Sequence, residues 1–141
     1  MRSEPGTYVL VLHLGEAAPI SVGKLREFQF PAGFYLYFGS ARNGLRPRVA
    51  RHLRREKRRR WHIDYLLEKA TIVEVWHTLS AERLECSWCR AALDAPGANV
   101  LIHGFGSSDC SCPAHLLFYQ ERPSLSILAE APGAPIQSHL P

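Results

Sequence analysis

The apolar positions of this chain fall into runs and periods that lay out most of its elements. Gly6-Thr7-Tyr8-Val9-Leu10-Val11-Leu12-His13 is a β-branched, nearly unbroken apolar run, the pattern of a central strand. Gly15 to Pro19 makes a turn, and Ile20 to Phe30 reads as a short hairpin through Val22-Gly23-Lys24. Pro31-Ala32-Gly33 then leads into the aromatic strand Phe34-Tyr35-Leu36-Tyr37-Phe38, which Gly39 is expected to stop. Runs joined by such short turns favour antiparallel pairing. Asn43-Gly44 carries the chain out of the sheet, and Pro47 suits the first turn of a helix because its missing N–H costs nothing there. On that helix Val49 and Leu53 offer the stripe that docks on the core, while Arg48, Arg51, His52 and Arg55 share a face expected to point outward. Ile63, Leu66 and Leu67 give Trp61 to Lys69 a helical period, and Thr71 to Thr78 alternates as a strand. Ser80 is the expected N-cap of a helix to about Leu93, with Ala81, Leu84, Trp88 and Ala91 on its core face. The elements make an α+β chain.

Composition changes the picture in one place. With 141 residues and 46% hydrophobic content the chain is expected to form one domain, 1–122, that buries a core without staples; the Pro-, Ala- and Ser-rich stretch 123–141 is expected to be loosely held. The net charge of +4 conceals a strong asymmetry: residues 42–60 hold ten of the 17 Lys and Arg and one acid, Glu56. A field this concentrated draws polyphosphate, with nucleic acid the commonest target. Arg42, Arg46, Arg51, Arg54, Arg55, Arg58 and Arg59 are therefore candidate nucleic-acid contacts, against the plainer reading of a solvated basic face. Met1 to Gly6 carries no apolar signal region, and no apolar run approaches the ~20 residues that span a bilayer. A cytoplasmic address without a membrane partner is the expectation, and with it four cysteines reduced or bound to metal.

Those cysteines form two groups. Cys86 and Cys89 lie three apart on one helix, and Cys110 and Cys112 sit near His115. Cys86, Cys110, Cys112 and His115, with Cys89 as the substitute, can make a tetrahedral structural Zn²⁺ site; small buried thiols packed in a core are the competing account.

The motifs then carry a resemblance. GTY at Gly6 to Tyr8 and YFG at Tyr37 to Gly39, followed by a basic helix, resemble the GIY-YIG nuclease superfamily, and GFGSSDCSCPAH from Gly104 to His115 is similar to its Uri-type endonuclease branch. The likeness covers about residues 5–120. It implies a small antiparallel β-sheet flanked by helices, in which the Ile20 to Phe30 hairpin is an insertion between the two motif strands. It also implies hydrolysis of a phosphodiester bond in DNA, branched or damaged substrates included. Residue by residue, Tyr8 and Tyr37 match the two motif tyrosines, Arg48 the arginine early in the following helix, and Glu85 the glutamate that holds Mg²⁺ or Mn²⁺. His52 matches a histidine of some members, and His62 a second, less constant one. The family's late asparagine has no clear counterpart; Ser108 or Asp109 stands nearest.

The chemistry asks for such a set on its own terms. Phosphodiester hydrolysis needs an activated water, a base, and positive charge on the phosphoryl oxygens. One carboxylate suffices for Mg²⁺, which keeps most of its waters, and the planar fork of Arg48 suits a phosphate. Either Tyr8 or Tyr37 can be the base if metal and arginine lower a phenolic pKa that is ~10 unperturbed. Two other functions fit the same residues: a nucleic-acid-binding module without catalysis, and a zinc-stabilised adaptor domain.

Overall fold

The computed structural model describes residues 4–24, 26–55, 57–106, 112–133 and 135–141. Its centre is β1 (Gly6–Leu14), buried at every position but His13, as the unbroken apolar run requires of a strand covered on both faces. On one side β1 pairs antiparallel with β4 (Gly33–Ala41), on the other with β5 (Thr71–Leu79), each nine residues long. β6 (Leu116–Tyr119) extends the sheet beyond β4 and β7 (Gln137–His139) beyond β5, giving the order β6-β4-β1-β5-β7. The expected hairpin is present as β2 (Ala18–Val22) and β3 (Arg26–Phe30), a separate two-stranded sheet. The fold is α+β, a small antiparallel sheet flanked by helices.

Alternation along the strands sorts side chains between two cores. Tyr8, Leu10 and Leu12 of β1, with Tyr35 and Tyr37 of β4, face a cluster that includes the hairpin, Leu45 and Val49 of α1 (Leu45–Leu53), and Ile63 and Leu66 of α2 (His62–Leu66). Val9, Val11, Leu36 and Phe38 face the other way, onto Trp88, Cys89 and Ala92 of α3 (Glu85–Leu93).

The departures from expectation have local causes. Gly39 does not stop the aromatic strand: it sits opposite Tyr8 in the ladder, and a Cβ there would lie 2.5 Å from the Tyr8 ring, so glycine lets that ring cross the neighbouring strand. α1 begins at Leu45 after a Gly44 N-cap, which places Pro47 third in the helix, still within the first turn that tolerates it. Its docking stripe is Leu45, Val49 and His52, spaced four and three apart, while Leu53 is exposed. His52 therefore points inward, and Arg55 lies past the end of the helix. α2 is shorter than the period predicts, since only His62–Leu66 is helical. Ser80 caps a turn instead of a helix, its Oγ accepting from Glu82 N at 3.0 Å. α3 starts five residues later, where Leu84 N donates to the buried Thr7 hydroxyl of β1 at 3.1 Å, and Ala81 is left exposed. Beyond Pro123, a 3-10 turn (Leu125–Leu128) buries Leu128, Pro132 O accepts from Trp88 Nε1 at 2.6 Å, and β7 pairs with β5. Among the described residues no helix is long and apolar enough to cross a membrane.

Candidate active site

Five elements converge at one end of the sheet around a cavity of about 260 Å³. β1 contributes Tyr8, and β4 contributes Tyr37 and Ser40; Arg48 enters from α1, Glu85 from the first turn of α3, and His62 from α2. His115 completes the wall just before β6. It is fixed by backbone pairing on both sides, since its N donates to Phe105 O at 2.8 Å and its O accepts from Phe38 N at 2.9 Å.

Hydrogen bonds fix most of these groups, in three separate sets. Arg48 Nη1 donates to Ser40 O at 3.0 Å, and the Ser40 hydroxyl donates to Glu85 Oε2. Arg83 reaches Glu85 Oε1 from the turn before α3, with Nε at 3.1 Å and Nη2 at 3.0 Å. Tyr8 OH lies 2.7 Å from His52 Nε2, while His52 Nδ1 has no hydrogen-bond partner among the described residues. Gly106 N donates to His62 Nδ1 at 3.1 Å, which puts the ring proton of neutral His62 on Nε2.

Beneath Arg48 lies an aromatic platform. The Trp61 ring, itself part of the cavity wall, is stacked by the Arg48 guanidinium at 4.7 Å and by that of Arg51 at 4.2 Å. Asp64 anchors the platform. Its fully buried carboxylate accepts from Arg51 Nη1 and Nη2 at 3.0 and 2.9 Å, and from the backbone N–H groups of Arg60 and Trp61 at 2.8 and 2.9 Å. Burial alone would raise its pKa, but the bonds from Arg51, Trp61 and Arg60 outweigh that and hold the carboxyl below the ordinary range.

Electrostatics separates the titratable groups. Burial pushes the Tyr8 phenol up to about 12 against the pull of Arg48, and pushes Tyr37 up further. Arg48 pulls both phenols down, as expected of it, but desolvation exceeds its effect. Burial also lowers His52 to about 3 although Asp64 favours its charged form, so the imidazole is neutral at physiological pH.

The structure thus brings Tyr8, Tyr37, Arg48, Glu85 and His62 to one cavity, with His52 directly behind Tyr8. The basic candidates are divided. Arg42, Arg46, Arg54, Arg55, Arg58 and Arg59 are exposed, whereas the Arg51 guanidinium is committed to Asp64, Trp61 and Arg58 O. Sequence reasoning did not single out Ser40, Arg60, Trp61 or Arg83 as site residues, yet all four line the cavity. Ser40 stands one residue past the YFG motif and Arg83 two before Glu85; neither position has a periodicity that marks it.

A second cluster adjoins the first. Ligand atoms of Cys86, Cys112 and His115 all lie within 4.8 Å of one another, with Cys86 Sγ and His115 Nε2 3.5 Å apart. Cys110, Ser108 and Asp109 lie outside the described residues. Cys89 is not part of the cluster: its thiol donates to Ala114 O at 3.0 Å, and burial pushes it up to about 12. Cys86 is disulfide-bonded, which corrects the expectation that every cysteine is reduced or metal-bound. Cys112, the other sulfur of the cluster, is a buried thiol.

A family model described as Domain of unknown function DUF123 matches residues 7–132, a span holding every site residue named above. No curated protein matches the chain, and no solved structure does.

Proposed function

The chain belongs to the family described as Domain of unknown function DUF123, and from that premise and the cavity's geometry we propose that it is a metal-dependent endonuclease that hydrolyses a phosphodiester bond in DNA. One observation carries the reading: Tyr8, Tyr37, Arg48 and Glu85, matched separately to motifs of the GIY-YIG superfamily, line a single cavity, with His52 behind Tyr8.

Glu85 would hold Mg²⁺ or Mn²⁺. Its carboxylate fits that role, being placed on the cavity wall and oriented at both oxygens by Ser40 and Arg83. When bound, the ion supplies an acidified water and a counter-charge for the phosphoryl oxygens. Arg48 is held rigid by Ser40 O and Trp61, so its remaining donors meet developing phosphoryl charge without reorganising. Of the two tyrosines, Tyr8 is the better-placed base, because burial raises it less than Tyr37 and His52 orients its hydroxyl. With the imidazole proton on Nδ1, His52 Nε2 accepts from the Tyr8 hydroxyl across 2.7 Å. With Tyr8 at about 12 and His52 at about 3, the neutral pair is the resting state. Tyr8 would act as the base once a bound cation joins Arg48 in offsetting the desolvation that raises it, with His52 holding the hydroxyl in place. Tyr37, buried edge-on to His52 at 6.0 Å, positions the pair.

DNA is bound by the exposed arginines of residues 42–60. If these neutralise about four to six phosphates, log affinity for duplex DNA falls with log salt at a slope of roughly −4 to −5. Replacing Arg54, Arg58 and Arg59 together is expected to flatten it. Fluorescence anisotropy between low and moderate salt makes the comparison; a slope near zero would leave the basic segment a solvated surface. A domain that binds DNA without cleaving it is the alternative on the same residues, and metal-dependent nicking separates the two.

The second cluster favours one addition, a structural Zn²⁺ held by Cys86, Cys112 and His115 in the reduced protein. The His115 side chain also packs against Gly106, where an added Cβ would lie 3.6 Å from the His115 Cβ. Such a site would fasten the start of α3, and so Glu85, to the strand end that carries Tyr37. Protein purified under a phosphine reductant is expected to contain about one zinc per chain, and chelation to lower its melting temperature, an effect lost in Cys112→Ser. Less than about a tenth of an equivalent of zinc in reduced protein would remove the site and leave the thiol groups to disulfide chemistry.

A further inference from the structure

The proposed metal ligand already has a cationic partner. Arg83 approaches Glu85 Oε1 with Nε at 3.1 Å and Nη2 at 3.0 Å, while Ser40 holds Oε2. The partners differ in exposure. The Glu85 side chain is 5% exposed, but that of Arg83 is 49% exposed and reaches it from the turn before α3. A buried carboxylate needs a counter-charge, and a half-exposed guanidinium supplies one that is weakly held.

Building on the nuclease reading, we infer that Arg83 is a placeholder cation: it neutralises Glu85 before a divalent ion does, and once displaced it turns into the cavity to grip the phosphate under attack. Two cations on one carboxylate repel, so a divalent ion held by Glu85 would loosen the arginine. Arg83 lines the same cavity as Arg48, so the displaced fork stays in reach of an anion there. The two arginines then differ in kind. Arg48 is fixed by Ser40 O and stacked on Trp61, whereas Arg83 responds to the metal. The empty-handed protein avoids a bare buried carboxylate, and phosphate grip becomes complete only with metal in place.

The test uses the full chain and two readouts that a purely structural arginine would move together. Mn²⁺ affinity is measured from the free-ion paramagnetic signal, and cleavage of DNA by single-turnover assay, for wild type, Arg83→Gln and Arg83→Lys, each confirmed folded by circular dichroism. Arg83→Gln is expected to bind Mn²⁺ about two- to fivefold more tightly, the scale of a removed half-exposed ion pair. It is expected to cleave about tenfold or more slowly. Arg83→Lys should fall between it and wild type in both. Mn²⁺ binding that weakens or stays unchanged in Arg83→Gln, or cleavage that is undiminished, overturns the placeholder role alone. A wild type that neither binds Mn²⁺ nor cuts DNA overturns the nuclease reading, and this inference with it.

Discussion

Glu85→Ala is expected to lower the rate of metal-dependent DNA cleavage by about a hundredfold or more, while affinity for the same DNA stays within about twofold of wild type. The split follows from where Glu85 sits. It lines the cavity at the start of α3 and touches Ser40 and Arg83, whereas the exposed arginines assigned to the DNA backbone belong to α1 and the segments on either side of it. Loss of the carboxylate removes the hold on the metal and frees Arg83, and neither change touches that basic segment. Glu85→Gln controls for folding because it keeps an acceptor for the Ser40 hydroxyl. The comparison is single-turnover kinetics beside anisotropy titration. Full cleavage by folded Glu85→Ala would place the metal elsewhere.

The largest effect on stability is expected at Asp64. Asp64→Ala removes one partner of a buried ion pair and strands the Arg51 guanidinium with the N–H groups of Arg60 and Trp61, a loss of about 3 kcal/mol. The damage should reach the site, because Arg51 and Arg48 stack on one Trp61 ring, so cleavage slows as well. The pH dependence has a definite sign. The carboxyl is held below its ordinary value in the folded chain, so its contribution is full above the unfolded pKa of ~3.9 and is lost as pH falls through the folded one. Urea unfolding should therefore show a gap between wild type and Asp64→Ala that is constant near neutrality and closes below about pH 4. A gap unchanged down to pH 3 would contradict the assignment.

How far such a site can be read from sequence depends on whether a residue's role is local. Tyr8 and Tyr37 were legible because each sits in an apolar run whose strand character is unmistakable, and the ladder sets them on one face. Glu85 and Arg48 were legible only through motif order. Periodicity misjudged α1, since His52 is polar by type yet completes the buried stripe with Leu45 and Val49; its burial is explained by Tyr8, forty-four residues away. The start of α3 was misplaced because Ser80 caps its own turn, while Leu84 finds its acceptor on Thr7, across the sheet. β6 and β7 were missed because four and three residues carry no usable period, and their pairing is decided by β4 and β5. Trp61, Ser40 and Arg83 gain their roles from partners on other elements, and that information is absent from any window of the chain.

The charge asymmetry has a structural sequel. The segment with the highest density of arginine is also where the Arg51 guanidinium turns to Asp64 and those of Arg48 and Arg60 line the cavity. Counting charges overstates the surface field there. A salt slope at the shallower end of the expected range would reflect Arg48 and Arg51 being engaged with the protein itself.

The most direct test of the central claim is incubation of the reduced wild-type chain with supercoiled, branched and single-stranded DNA, with Mg²⁺ or Mn²⁺ and again with excess chelator, and with Glu85→Ala alongside. The account predicts cleavage of at least one of these DNAs that requires the divalent ion and disappears in the variant. DNA left intact by wild type under every metal condition, or cut equally well in chelator, would contradict it.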